Sequence, residues 1–397
     1  MNILHIINAY TNIDGIYTFL QRFASAVSEK NIHNYFLAWE PSSGYFESKQ
    51  AQEDLSNVRL VTQNGANGIL SELNPSLIVH HDSRYMEVDS ILGQRASLCL
   101  ERIPRLRMIH DIKFFCPRRF FVDGVCCQRT LGEACVKCGC IDQELYERYA
   151  EHLERNRKLD GFLCLSPYIE QKLKAHGFSP SGIHRIPAMI PLRLKDSITR
   201  ENNMLYVGRI STEKGIEQLL QSLSHLKAED WKLYIAGTGT RKAVHDMLLA
   251  IRQNKKIAPH VEYLGYLQGD ALHQRFQNAR VVVLPSIIGE TYGYSGAEAL
   301  SYGIPVVSYD VNRDSGWMVE NQTGRSVPLE DEHAFANALD ALFACEKQYE
   351  ELCEGARTHA KKLFHSKQNE QVEALVQHLA NAAGKDGVCL DTRCIHA

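Results

Sequence analysis

The sequence predicts an α/β protein made of two doubly wound parallel sheets, and three observations carry that prediction. At 397 residues, with 44% hydrophobic and 23% charged content, the chain has material for two to three globular cores. Short runs of β-branched and apolar residues alternate with segments of helical period in both halves, the pattern of parallel strands covered on both faces. The stretch VVVLPSIIGETYGYSGAEALSYGIPVVSY, residues 281–309, reads as strand, loop, short helix and strand, a unit that places a loop at the carboxyl edge of a sheet.

The N-terminal half begins with a strand at Asn2–Ile7, a polar loop from Asn8 to Gly15, and a helix from Ile16 to Val27 with an apolar face of Ile16, Phe19, Leu20, Phe23 and Val27. Strands are predicted at Tyr35–Trp39, Val58–Val61, Leu77–His80, Arg107–His110 and Phe162–Leu165, with helices at Gly68–Leu73 and Leu145–Leu159. Regular structure breaks after Ile186-Pro187, and Pro191 stiffens a stretch without periodicity. The predicted division is therefore 1–188, 189–366, and a terminal segment 367–397 that holds a helix and a tail.

The second half repeats the alternation. Strands fall at Asn203–Val207, Leu233–Ala236, Val261–Leu264, Val281–Pro285 and Val306–Tyr309, and helices at Gly215–Leu226, Lys242–Arg252, Asp270–Asn278 and Glu332–Phe343. Helical spacing returns at Gln348–Phe364 and Asn369–Ala382, and Lys385–Ala397 reads as a tail. Within the 281–309 unit, Ser295 and Glu298 have capping-box spacing, and Gly303 is placed to stop the helix. Gly289, Gly293 and Gly296 would let the backbone approach a ligand.

Three sets of side chains carry chemistry. Gly208 and Arg209, then Lys214 and Gly215, combine a guanidinium fork, an ammonium and open backbone in one loop, a set suited to a diphosphate. Glu290 precedes the glycines and falls on the loop, while Glu298 is either a capping partner or a ligand. His110, at the end of a predicted strand, can reach the cleft for proton transfer or a sugar hydrogen bond, with Asp111 as a loop or orienting residue. Around it Arg102, Arg105, Arg107, Lys113, Arg118 and Arg119 interleave with Phe114, Phe115, Phe120 and Phe121. That segment reads either as a solvated loop over a core edge or as a surface for an anionic acceptor.

The spacing Glu290-x7-Glu298, followed by Ala-Leu-Ser-Tyr-Gly-Ile-Pro-Val-Val, resembles the signature of retaining nucleotide-sugar glycosyltransferases of the GT-B fold (family 4-like, glycosyl transferases group 1). Gly208-Arg209 and Lys214-Gly215, with four residues between the two cations, resemble that family's glycine-arginine…lysine-glycine pattern. The resemblance implies that Arg209 and Lys214 neutralise the leaving nucleoside diphosphate, that Glu290 meets donor sugar hydroxyls, and that Glu298 meets the ribose. It also implies donor contacts at Gly15, Gly237, Thr238, Tyr266, Leu267, Thr291, Tyr292 and Gly293, and a place for His110 near the donor sugar. The implied reaction is sugar transfer from a UDP- or GDP-sugar to a saccharide or lipid-linked glycan, with no cofactor required for catalysis. A nucleotide-sugar epimerase of the same fold and a non-catalytic sugar-nucleotide sensor are the alternatives.

The net charge of −3 gives no overall bias toward nucleic acid. Met1–Asn8 lacks a basic n-region, and no apolar stretch reaches membrane-spanning length, so a cytoplasmic setting is predicted, with the inner membrane face as a second one. There, twelve cysteines argue for thiols or metal rather than disulfides. Cys116, Cys126, Cys127, Cys135, Cys138 and Cys140 gather in an insert at 114–141; Cys135-x2-Cys138 has zinc-knuckle spacing, and Cys126 or Cys127 with Cys116 or Cys140 completes a candidate structural zinc set, Cys116 and Cys126 foremost.

Overall fold

The computed structural model describes residues 1–7, 15–27, 32–38, 58–62, 73–81, 103–118, 121–122, 125–126, 130–194 and 201–382. Two parallel sheets dominate it. The first contains β1 (Asn2–Ile7), β2 (His33–Ala38), β3 (Val58–Thr62), β4 (Leu77–His80), β5 (Arg105–Met108), β8 (Gly161–Cys164) and β9 (Ile183–Arg185); a two-stranded hairpin, β6 (Phe121–Val122) and β7 (Val125–Cys126), stands apart. The second contains β10 (Asn203–Val207), β11 (Lys232–Ala236), β12 (Val261–Gly265), β13 (Val281–Leu284), β14 (Val306–Tyr309) and β15 (Gly324–Val327).

Strand order in the first sheet is β3-β2-β1-β4-β5-β8-β9, and in the second β12-β11-β10-β13-β14-β15. Each order reverses once, between β1 and β4 and between β10 and β13, and such switch points open a crevice at the strands' carboxyl ends. All four residues of β13 and all four of β14 are buried. That is the reason these strands read as continuous apolar runs rather than alternating ones.

A core within the second sheet joins Met204, Ile235, Val283 and Phe335. Another ties the two sheets together: it runs from Ile3, Phe19 and Phe23 through Ile186, Ala188 and Ile190 to Leu300, Trp317, Val372 and Val376. The terminal helix Gln368–Ala382 packs on the helix Gly15–Ala26, and the Gln368 amide donates to Ile190 O at 3.0 Å.

Several expectations need revision. The short helix spans Tyr294–Ser301, and its N-cap is Gly293 at φ 76°, with no side-chain cap. Ser295 lies inside the first turn, so the capping-box reading of Ser295 and Glu298 fails. Gly303 does stop the helix: its N–H donates to Leu300 O and that of Ile304 to Ala299 O, a Schellman closure. β5 ends at Met108, which puts His110 two residues beyond the strand. The helix Pro167–Ala175 and strands β9 and β15 are additions; Ser166 caps that helix through Ile169 N. The predicted helix at 68–73 and the tail at 385–397 lie wholly or largely outside the described residues, as does 195–200 of the linker.

Candidate active site between the sheets

The loops after β10 and β13, neighbours at the switch point of the second sheet, meet through their charges. Lys214 Nζ lies 2.8 Å from Glu290 Oε2. Ser286 Oγ donates to the other carboxylate oxygen of Glu290, and the Glu290 N–H donates to Asn312 Oδ1 at 3.2 Å. Glu290 is therefore held from three sides. Arg209, exposed on the same β10 loop, pairs with Glu213 at 3.0 Å.

Close backbone approach sets these loops in place. Gly215 has φ +67°, and a Cβ there would fall 1.8 Å from Pro285 O. Only glycine fits where the two loops cross, and the crossing is tied by Ile287 N donating to Glu213 O at 3.1 Å. A Cβ on Gly237 would likewise fall 1.8 Å from Gly208 O. Ile210 N donates to Thr238 O at 2.7 Å, and the Tyr206 hydroxyl donates to Arg209 O at 2.7 Å. Gly208, Gly237 and Thr238 thus form a packed floor beneath the cations, and Gly237 N donates to Gly265 O at 2.7 Å.

The β13 loop also touches the first sheet. Thr291 Oγ1 donates to His110 O at 3.1 Å, Ser166 Oγ donates to Thr291 O, and a Cβ on Gly289 would meet Tyr168 OH at 2.7 Å. Glu298 forms an ion pair with Arg22 of the helix Gly15–Ala26, whose guanidinium lies 5.1 Å from the Tyr294 ring centroid. The structure thus brings His110, Thr291, Glu290 and Lys214 into one contiguous junction, with Arg209 and Glu298 on the same loops and helix.

Burial pushes the His110 pKa down to about 3. Near neutral pH its imidazole is uncharged, which removes the near-neutral titration expected of it and leaves hydrogen bonding as its chemistry.

Other predicted positions fare differently. Gly293 and Gly296 accommodate Trp317 rather than an open ligand surface: a Cβ on Gly296 would fall 2.2 Å from the indole. Tyr292 is buried, and its carbonyl accepts from Trp317 Nε1 at 2.5 Å. Tyr266 is exposed and Leu267 half-buried, just beyond β12 at the sheet edge. Gly15 opens its helix, while the loop at 8–14 lies outside the described residues.

The basic aromatic segment is mostly core. Phe114 and Phe115 are buried with Cys116, and Arg107 is buried with its guanidinium 5.7 Å from the Phe114 centroid. Of its described cations Lys113 and Arg118 are exposed, and its described aromatics, Phe114 and Phe115, are core; Arg102, Arg119, Phe120 and the side chain of Phe121 lie outside the described residues. Asp111 accepts from Lys113 N at 2.9 Å, as a loop residue. Among the described residues no three potential metal ligands gather. Cys116 lies in the aromatic core, Cys135 Sγ points at Thr130 O, and Cys138 Sγ sits 2.7 Å from Cys140 Sγ. The side chain of Cys126 falls outside the described residues.

Sequence reading missed Ser286, Asn312 and Arg22, which hold the two glutamates, and His5 and His81, described below. Ser286 left a signal, a hydroxyl at a strand end four residues before Glu290; Asn312 and Arg22 left none, since both are distant in sequence.

Residues 194–359 match the family model described as glycosyl transferases group 1. An uncharacterised glycosyltransferase of Methanocaldococcus jannaschii is 36% identical over 109 residues, covering 27% of each chain. The alpha-D-kanosaminyltransferase of Streptomyces kanamyceticus is 25% identical over 235 residues, 53% of this chain and 60% of that one. This chain therefore spans about a quarter of the first relative and three-fifths of the second. The Anabaena protein HepE, solved with UDP-glucose, superposes with a TM-score of 0.72 at 15% identity, over 95% of this chain and 100% of that one. Residues 194–359 are thus similar to glycosyl transferases group 1, within a two-sheet GT-B fold.

Proposed function

We propose that the protein is a retaining glycosyltransferase that moves a sugar from a nucleotide-sugar, UDP- or GDP-linked, to a hydroxyl of a saccharide or lipid-linked glycan. The carrying observation is the Lys214–Glu290 contact of 2.8 Å at the sheet's switch point. It sets a phosphate-binding cation directly beside a carboxylate able to accept from sugar hydroxyls. HepE binding UDP-glucose on this fold favours UDP as the base to test first.

In this reading the diphosphate lies across the β10 loop. Lys214 and Arg209 stabilise the charge that develops as the glycosidic bond loosens, a contribution concentrated in the transition state. Glu290, oriented by Ser286 and the Asn312 contact, orders the sugar. His110, neutral, offers it a hydrogen bond, and Glu298 takes the ribose after exchanging Arg22. The two cations supply the leaving-group charge, so the reading requires no divalent metal.

The test is a thermal-shift panel of UDP, GDP, UDP-glucose and GDP-mannose, followed by product analysis. A ligand at 100 times its Kd stabilises by about 2.7 kcal/mol. Acceptor-dependent product with the donor's anomeric configuration supports the reading. Isomerised free donor instead marks an epimerase, and binding without turnover on any acceptor marks a sensor.

A further inference from the structure

Three histidines, His5 and His81 buried and His110 half-buried, form a hydrogen-bonded row at the switch point of the first sheet. His5 is on β1, His81 directly follows β4, and His110 follows β5. His5 Nε2 is 2.9 Å from Asn34 Oδ1, His5 Nδ1 is 2.9 Å from His81 Nε2, and His81 Nδ1 is 2.9 Å from His110 Nε2. Of the six ring nitrogens five are engaged; Nδ1 of His110 alone has no hydrogen-bond partner among the described residues. Its backbone carbonyl is the one that holds Thr291 of the β13 loop.

We propose that Asn34, His5 and His81 are positioning residues that fix the tautomer of His110, with the proton on Nε2 and the Nδ1 lone pair left to accept from a sugar hydroxyl. Each neutral imidazole has one donor and one acceptor nitrogen. With Asn34 Oδ1 as acceptor, His5 must donate from Nε2, which makes its Nδ1 an acceptor for His81 Nε2–H. His81 Nδ1 then accepts from His110 Nε2–H. One amide at the inner end thus sets the outermost nitrogen, three side chains away.

The walls of the row keep competing partners out. Phe36 stacks on His5 at 4.7 Å and 13°, Phe23 meets it edge-on at 5.3 Å, and Phe19 meets His110 edge-on at 5.0 Å. Desolvation by these surroundings keeps the rings uncharged: His5 is pushed down to about 4, His110 to about 3, and His81 well below its ordinary value. Neutral rings are what strict alternation requires, because an imidazolium donates from both nitrogens. Fixing the tautomer of a functional histidine through its other nitrogen is a general device.

The proposal rests on the sugar-site reading of His110, and the test separates the two. Two-bond 15N–1H spectra of the full chain labelled in histidine, with His110→Gln for assignment, report the tautomer without substrate. A single Nε2–H form of His110 is expected. Asn34→Leu, which removes the inner acceptor, and His81→Phe, which breaks the row, should each release His110 into a tautomer mixture. A wild-type protein that shows Nδ1–H or averaged tautomers overturns the relay, as does a single Nε2–H form that persists in Asn34→Leu. UDP release from UDP-glucose is the second readout: His81→Phe should lower kcat roughly tenfold, the equivalent of one lost hydrogen bond, with KM little changed. The expected tautomer together with unchanged UDP release in His110→Gln would keep the relay and overturn the sugar-site role of His110.

Discussion

Lys214 Nζ and Glu290 Oε2 stand 2.8 Å apart and join the two loops at the switch point of the second sheet. In the proposed reading an arriving diphosphate takes the ammonium from the carboxylate, and the same exchange frees Glu290 for the sugar, so that donor binding and site assembly are one event.

Lys214→Ala and Arg209→Ala should each weaken UDP binding by about 1.5–3 kcal/mol, the range of a charge-assisted hydrogen bond. Glu290→Gln removes the competitor for Lys214, so it should tighten UDP while cutting turnover far more than it cuts thermal stability. Calorimetric titration of UDP checks all three. Unchanged affinity in both cation variants would remove the phosphate site.

Gly296→Ala forces a methyl group into Trp317, 2.2 Å away, and overpacking of this kind costs about 1–3 kcal/mol. Its urea midpoint should fall. Gly132→Ala, with nothing within 4 Å of the added carbon, is the control and should hold its midpoint.

Acid should unfold the protein early. The pKa values of His5, His110 and His152 are held down to about 4, 3 and 3 by desolvation, against 6.5 when unfolded. Between those values the unfolded chain binds more protons, so stability rises with pH across the window and is lost on acidification from pH 6.5. Each such histidine adds a slope of up to about 1.4 kcal/mol per pH unit. Urea midpoints measured from pH 7 down to pH 5 should decline, and a flat profile would contradict the buried neutral row.

A zinc clip over Cys116, Cys126, Cys135 and Cys138 requires converging thiolates, and among the described residues no three potential ligands gather. Cys138 and Cys140, with sulfurs 2.7 Å apart, are instead the pair expected to close under diamide, losing two hydrogens to the oxidant. Mass spectrometry of Cys140→Ser should show that change abolished. One zinc per chain by elemental analysis, lost in Cys135→Ser, would restore the clip.

The sequence by itself determined the two-sheet architecture and singled out the second sheet's loops as the place for the site. Buried parallel strands such as Val281–Leu284 leave continuous apolar runs, and Arg209 and Lys214 stand five residues apart on one loop; both signals are local. Tertiary structure alone decided what those residues face. Glu298 looked like a cap because its nearest sequence partner is Ser295, yet its ion-pair partner is Arg22, on a helix of the other sheet. Gly296 looked like an opening for a ligand, but Trp317 fills the space. Phe114 and Phe115 read either as a loop over a core edge or as a surface, and they are core, packed by residues of the following chain such as Leu153, Phe162 and Phe178. The histidine row could not be read in advance for the same reason: His5 lies within β1 and His81 and His110 just beyond β4 and β5, and only parallel pairing of the three strands sets them side by side.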